Sequence, residues 1–452
     1  MNETRKLAQF VASKNYQDLP AKVIYNLKSY VLDNIAAGFV GSLQSWSTIV
    51  ADLVQDQGGK NESSIFNKSW KIDASRATLI NGTMIGAFEL EHIAYAAHPS
   101  GTVFPAALAV AERDNLSGKK FITALALGYE VNCRVAQAQT NAAESERGFH
   151  NPSINGVFGS AVAVSKLVNL DEQEILNSLG IAGSHSAGVI EFAWEGSMTK
   201  RIHLGRASQL GLESALLAQR GFSGPSTILE GTYGYLQAFS PKPMIHKLLE
   251  GLGEDWLLLK IIIKSFACHL SSQGIVRQIQ DYRYTHNIDP NVISKISILA
   301  NPHFTEGRFS NQYPDNILGA QYSMPFTVAM AMLHDMSNPM IYNETILVDS
   351  RVRGLSGKIE IKPDSRFDRY QYDAGAEITV EYVNGDIDTL KVNDFVGSLR
   401  KPMSFGNVEE KFLRVTKKII DKKTAALIID KVQNLEKLES VKELTNFIGE
   451  VY

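Results

Sequence analysis

Only two cysteines, Cys133 and Cys268, occur among 452 residues. That is too few for a disulfide framework, and no CxxC pair offers thiolates to zinc. Such usage fits a reducing compartment. Charge of one sign is also missing: 45 basic against 48 acidic residues leave a net charge of −3. No general basic field therefore recruits nucleic acid or an anionic membrane. A run of about 18 apolar residues, the length needed to span a bilayer, is absent too. The greasiest stretch, DWLLLKIIIKSFACHL, is interrupted by Lys260 and Lys264. The opening residues MNETRKLAQFVASKNYQDLP lack the apolar core and small-residue cleavage site of a secretory signal. GxGxxG after a strand, a Walker loop, HExxH and a GxSxG elbow are all missing. Nucleotide and metal chemistry are disfavoured, and no metal or cofactor is expected. The chain reads as a soluble cytoplasmic protein without nucleic-acid or membrane partners.

What is present is helix after helix over roughly the first 260 residues. In DLPAKVIYNLKSYVLDNIAAGFVGS a proline opens the segment, apolar residues recur at Val23, Leu27, Val31 and Ile35, and Gly38 and Gly41 are expected to close it. Asp171 with Glu174 forms a capping-box pattern. Further helices are expected over 74–90, 104–113, 119–139, 154–167 and 206–220. Small residues at close spacing, such as Gly156, Gly159, Ser160 and Ala163 or Ala207, Gly211, Ala215 and Ala218, let helix axes approach closely and mark a bundle centre.

After about residue 262 the period changes to two in KISILAN, ETILVDS, GKIEIKPD and AEITVEYVNGDIDTLKV. Asn384-Gly385 between two alternating runs predicts a type I′ hairpin. NILGAQYSMPFTVAMAMLHD reads as one helix packed on that sheet. From Asn407 the helical period returns, with Asn407 and Glu410 as a second expected capping box. The fold expected is mainly α. A large helical domain is built from both chain ends, 1–261 and 393–452, with a smaller α+β lid domain, 262–392, inserted between them.

Chemistry-bearing residues gather where helices begin. His98 precedes a helix whose first turn contains Pro105, and His150 precedes Asn151, Pro152 and a glycine-rich helix. Helix N-termini carry partial positive charge and free N–H groups, so anions are favoured there. Lys200, Arg201, His203 and Arg206 crowd the mouth of the small-residue helix. Cations in that place oppose the dipole, so helix stability does not explain them. Lys264 and His269 flank Cys268 near the inferred domain junction, where pockets are favoured. Without a base and its orienting partner, Cys268 reads as a buried thiol and not a nucleophile. Each of these histidines and cations alone also fits an ordinary turn or solvated loop.

Four pieces carry a resemblance: NGTMIGAFELEH…HPSGTVFPAALAVAE, GFHNPSINGVFGSAVAVSKLVNLD, GSMTKRIHLGRASQLGLESALLAQRGFSGP and KSFACHLSSQG. In this order and spacing, over nearly the whole chain, they resemble the MmgE/PrpD family. Its activities include 2-methylcitrate dehydration, cis-aconitate decarboxylation and iminodisuccinate epimerisation. The resemblance implies the two-domain fold above, a homodimer, and a cofactor-free site between the domains for a small di- or tricarboxylate. By position, the family's site histidines fall on His98 and His150, its lysines on Lys200 and Lys264, and the following histidine on His269. The first four are the expected catalytic residues. Lys200, Lys264, His269 and His92 are the expected substrate contacts. One motif departs: where dehydratase and decarboxylase members carry Asp-Asp-Thr before the His-Pro pair, this chain has Glu89, Glu91 and His92.

Fixed cations suit this chemistry, because a carbanion beside a carboxylate accumulates negative charge on a group already anionic. The resemblance thus implies a lyase of the 2-methylcitrate dehydratase type. An iminodisuccinate-type epimerase or cis-aconitate-type decarboxylase is the alternative. In a different class stands a catalytically inactive polycarboxylate sensor, which would need the cations but not the histidines.

Overall fold

A computed structural model describes residues 2–286, 288–368 and 375–449. The structure is 59% helix and 8% strand, so helix packing dominates it. Its centre is the helix Asn151–Leu167, buried along its length except at Lys166. The helices Gly118–Gln139 and Thr199–Gln219 pack on it, and Ala74–Ile85 packs on the last of these. Small residues set the spacing. A Cβ on Gly205 would stand 2.2 Å from the carbonyl oxygen of Leu79, and one on Gly211 would stand 2.4 Å from that of Val157. The helix Ala21–Ser42 runs on through Gly38 and Gly41 instead of closing there. Gly41 instead marks a close approach, with the Met84 carbonyl oxygen where its Cβ would be.

Both chain ends form the helical part: Phe405–Thr416 and Lys422–Gln433 lie against Ala21–Ser42. The helix Phe405–Thr416 begins three residues before its expected start. Ser404 is its N-cap and exchanges hydrogen bonds with Asn407, so the capping box is Ser404–Asn407 and not Asn407–Glu410. The Asp171–Glu174 box forms as expected.

The α+β part holds a four-stranded sheet in the order Ile359–Pro363, Ile293–Ala300, Ala376–Tyr382, Ile387–Val392. The first pair is parallel, with Ile298 beside Ile361, and the other pairs are antiparallel. Ile296, Ile298, Ile378 and Val380 are buried, and the helices Gln273–His286 and Met324–Leu333 pack against the edge strands Ile387–Val392 and Ile359–Pro363. Each such side chain removed from water contributes about 1.5–3 kcal/mol.

Three local expectations are corrected. ETILVDS forms no strand: Asn343 and Asp349 cap the short helices Glu344–Leu347 and Ser350–Ser356, and local capping overrides the alternation. The single helix expected over NILGAQYSMPFTVAMAMLHD is two, Ile317–Tyr322 and Met324–Leu333, divided at Ser323. Pro325 forces the break, since it cannot continue a helix ladder. The hairpin at Asn384-Gly385 exists, but only Gly385 is left-handed, with φ 89°. Its N–H bonds the Tyr382 carbonyl, giving a three-residue loop in place of type I′.

Candidate active site

The segment after helix Ala74–Ile85 runs Phe88-Glu89-Leu90-Glu91-His92, and its side chains alternate in destination. Glu89 has φ 55°, a left-handed conformation costly for a residue with a Cβ. Its carboxylate meets the ammonium of Lys200, lies 3.1 Å from Lys264 Nζ and 3.9 Å from Arg201. Glu91 lies 3.7 Å from Lys264 and accepts from His98 Nδ1 at 3.0 Å. Burial opposes its ionisation, but Lys264 and His98 outweigh that and hold the carboxyl down at about 2.

His92 points the other way. It is fully buried and does not line the cavity. Its Nδ1 contacts Asp33 at 2.9 Å and its Nε2 contacts the Tyr129 hydroxyl at 3.2 Å. With both nitrogens engaged, His92 is not placed to touch substrate as expected; it is a strut behind the loop. Asp33 also takes Lys411 Nζ at 2.6 Å, and Lys411 donates to the Leu90 carbonyl at 2.9 Å.

The other expected residues come together. His98, His150, Lys200, Lys264 and His269 line one cavity of about 540 Å³. Three of them occupy N-cap positions: His98 before Pro99–Thr102, His150 before Asn151–Leu167, and His269 before the 3₁₀ turn Leu270–Ser272. Lys200 sits inside the first turn of Thr199–Gln219, which starts seven residues earlier than the helix expected at 206. Glu89 is the counter-charge that permits a cation at this helix N-terminus.

Each imidazole has a distinct partner. The ionised Glu91 only accepts, so His98 carries its proton on Nδ1 and a neutral ring presents the Nε2 lone pair, oriented by a carboxylate. His150 and His203 share one hydrogen bond, Nδ1 to Nδ1, at 3.0 Å. Burial pushes both down, with His203, His98 and Arg308 adding to the effect on His150, and His203 falls to about 4. Ser271 N–H donates to His269 Nδ1 at 3.3 Å, so a neutral His269 carries its proton on Nε2. Burial, reinforced by Arg308, Lys264 and Lys200, holds that ring well below the usual histidine range.

Burial likewise lowers Lys200, assisted by Arg201, Lys264 and Arg308, and lowers Lys264 against the pull of Glu91. Both ammonium groups are thus easier to deprotonate than a surface lysine. Cys268 is buried, and burial pushes its thiol up to about 12 despite Lys264, as a structural cysteine requires. Among the described residues no cluster of three His, Cys, Asp or Glu side chains could hold a metal ion.

Sequence reasoning did not find Arg308, Tyr322, Gln321 or the role of Glu89. Gln321 accepts from Arg201 at 2.9 Å and donates to the Phe88 and Ala267 carbonyls at 3.0 and 3.1 Å. It ties three segments of the cavity wall together. Nothing in the pattern around 308 or 321 signals a site, because the contacts of Gln321 join residues 54 to 233 positions apart.

The sequence matches known proteins along nearly its whole length. The model of the MmgE/PrpD N-terminal domain matches residues 5–247, and that of the C-terminal domain matches 266–437. The chain belongs to the MmgE/PrpD family. Within the family, a cis-aconitate decarboxylase-like protein, oryM of Aspergillus oryzae, is 28% identical over 474 residues, covering 99% of this chain and 97% of the relative. Human cis-aconitate decarboxylase is 29% identical, over 98% of this chain and 94% of its own. That of Aspergillus terreus is 24% identical, over 99% and 96%. These MmgE/PrpD relatives carry lyase names, in agreement with the lyase expected from the sequence. Their names match the decarboxylase alternative and not the dehydratase placed first.

Proposed function

We propose that this protein is a decarboxylase of a small, cis-aconitate-like polycarboxylic acid, working by proton transfer among its own side chains. One observation carries the reading: five histidines and lysines from distant segments line a single cavity. In the reaction the bond from carbon to one carboxylate breaks and leaves as CO₂. The electron pair stays on the substrate and spreads toward a neighbouring carboxyl, where Lys200 and Lys264 stabilise it. An imidazole then gives its proton to carbon and is reloaded from solvent, so one carboxylate and one proton become one C–H bond and CO₂. His98, aligned by Glu91, and His150 are the proton carriers. Such acid–base help is typically worth about 10²- to 10⁴-fold. An arriving anion raises the depressed pKa of His150 and charges it when the proton is needed. Phe304, Phe309 and Tyr322 keep water from the departing carboxylate.

The neutrality of His150 before substrate binds favours a second reading, in which it abstracts a carbon-bound proton as a dehydratase requires. Incubation with carboxyl-labelled cis-aconitate and 2-methylcitrate in deuterated water separates the two. Labelled CO₂ with one deuterium on the product carbon is expected. Loss of water without CO₂ would replace this reading with the dehydratase; exchange without net product would indicate an epimerase. No label and no product would leave a binder.

A further inference from the structure

The two site lysines meet the cavity already paired, Lys200 with Glu89 and Lys264 with Glu89 and Glu91. Arg308 is paired differently. It reaches the cavity from the turn Gly307–Phe309 of the α+β part. Its guanidinium carbon lies 5.1 Å from the ring centre of Trp194, 4.9 Å from Phe309 and 5.1 Å from Tyr322. Among the described residues its one acidic contact is Glu144, at 3.4 Å. That is longer than the roughly 2.7–2.9 Å of a strong charge-assisted bond. Burial pushes the Glu144 carboxyl up despite Arg308, which weakens it further as a counter-charge. Nε and Nη1 of Arg308 find no hydrogen-bond partner among the described residues. Buried donors left in that state are costly, more so on a charged group.

We infer that Arg308 is the receptor for a second carboxylate of the substrate. This deepens the proposed function, because it rests on the cavity being a polycarboxylate site. Lys200 Nζ lies 4.9 Å from the centre of the Tyr322 ring, so the lysine and Arg308 border one ring and lie within reach of one small molecule. The helical part and the α+β part would each hold one end of a dicarboxylate, and the reacting carbon would lie between them near the histidines. A planar guanidinium suits this place better than an ammonium, because it stacks on the rings and still grips a carboxylate with a fork.

Calorimetry with two unreactive acids tests the assignment on the full-length protein. Succinate has two carboxylates and succinamate one. Arg308→Gln is expected to weaken succinate by about tenfold to a hundredfold, the worth of a charged hydrogen bond, and to leave succinamate nearly unchanged. Thermal unfolding confirms that the variant folds. Should it not fold, Arg308→Lys keeps the charge and loses the fork, and at least a threefold loss of preference for succinate is expected. Unchanged preference in the folded variant overturns the role of Arg308 alone. If the unmodified protein binds neither acid, the polycarboxylate reading falls, and Arg308 with it. Binding without any CO₂ release in the separate assay would overturn the decarboxylase and leave the receptor standing.

Discussion

Replacing Glu89 by Gln keeps the shape of the side chain and removes one negative charge from among three cations. At an effective dielectric of about 20, a carboxylate 3.1 Å from Lys264 interacts by about 5 kcal/mol, and one 3.9 Å from Arg201 by about 4 kcal/mol. The Lys200 pair is the closest of the three. Desolvation of the carboxylate offsets several kcal/mol of that attraction. The net loss expected for Glu89→Gln is about 3–5 kcal/mol, as when one partner of a buried pair is removed. Urea unfolding at pH 7, followed by far-ultraviolet circular dichroism, measures it. The loss has a pH signature. Burial sets Lys200 and Lys264 below the ordinary 10.5 in the folded protein, and the variant lowers them further. A lysine depressed on folding destabilises the folded state while charged, and that penalty fades as pH rises from the folded value toward 10.5. The gap between the two proteins therefore shrinks as pH rises toward 10.5. A loss below about 1 kcal/mol, or one that does not shrink, would refute the view that Glu89 holds the lysines in place.

Two further expectations concern the same neighbourhood. Burial sets His150 well below 6.5 and His203 at about 4, so the unfolded chain binds more protons than the folded one between these values. Stability from the pair is complete above pH 6.5 and declines as pH falls through that window. His203→Asn should flatten the decline by about one proton in a urea series, and an unchanged slope would remove the buried neutral pair. Gly205→Ala drives a methyl group to 2.2 Å from the Leu79 carbonyl oxygen. It should cost about 1–3 kcal/mol and lower kcat/KM by displacing the helix start that carries Lys200. An unchanged Tm would show that these helices can part without loss.

Much of the fold was legible because local signals agreed with the tertiary structure. Asp171 and Glu174 cap a helix in any surroundings, and KISILAN alternates because one face of its strand is buried. Reading failed where two local signals competed. In ETILVDS the period-two pattern lost to the caps Asn343 and Asp349, and in NVEEKF the true box lay at Ser404. The candidate site was legible where a helix mouth announced it, as at His98, His150 and Lys200, and at the inferred domain junction that carries Lys264 and His269. Glu89, Arg308 and Gln321 act through contacts that no short window contains. His92 shows the converse error: an ionisable residue beside cavity residues faces the core, where Asp33 and the Tyr129 hydroxyl take its two nitrogens.

The bond from Lys411 to Asp33 and the Leu90 carbonyl has a consequence for how the protein is made. Asp33 is translated early and must wait for an ammonium that is added hundreds of codons later. Until the helix Phe405–Thr416 has emerged from the ribosome, the acidic loop beneath the cavity lacks the donor that ties its Leu90 carbonyl to Asp33. A product terminated before Lys411 would therefore contain every cavity-lining residue and still lack one of the ties that hold this loop.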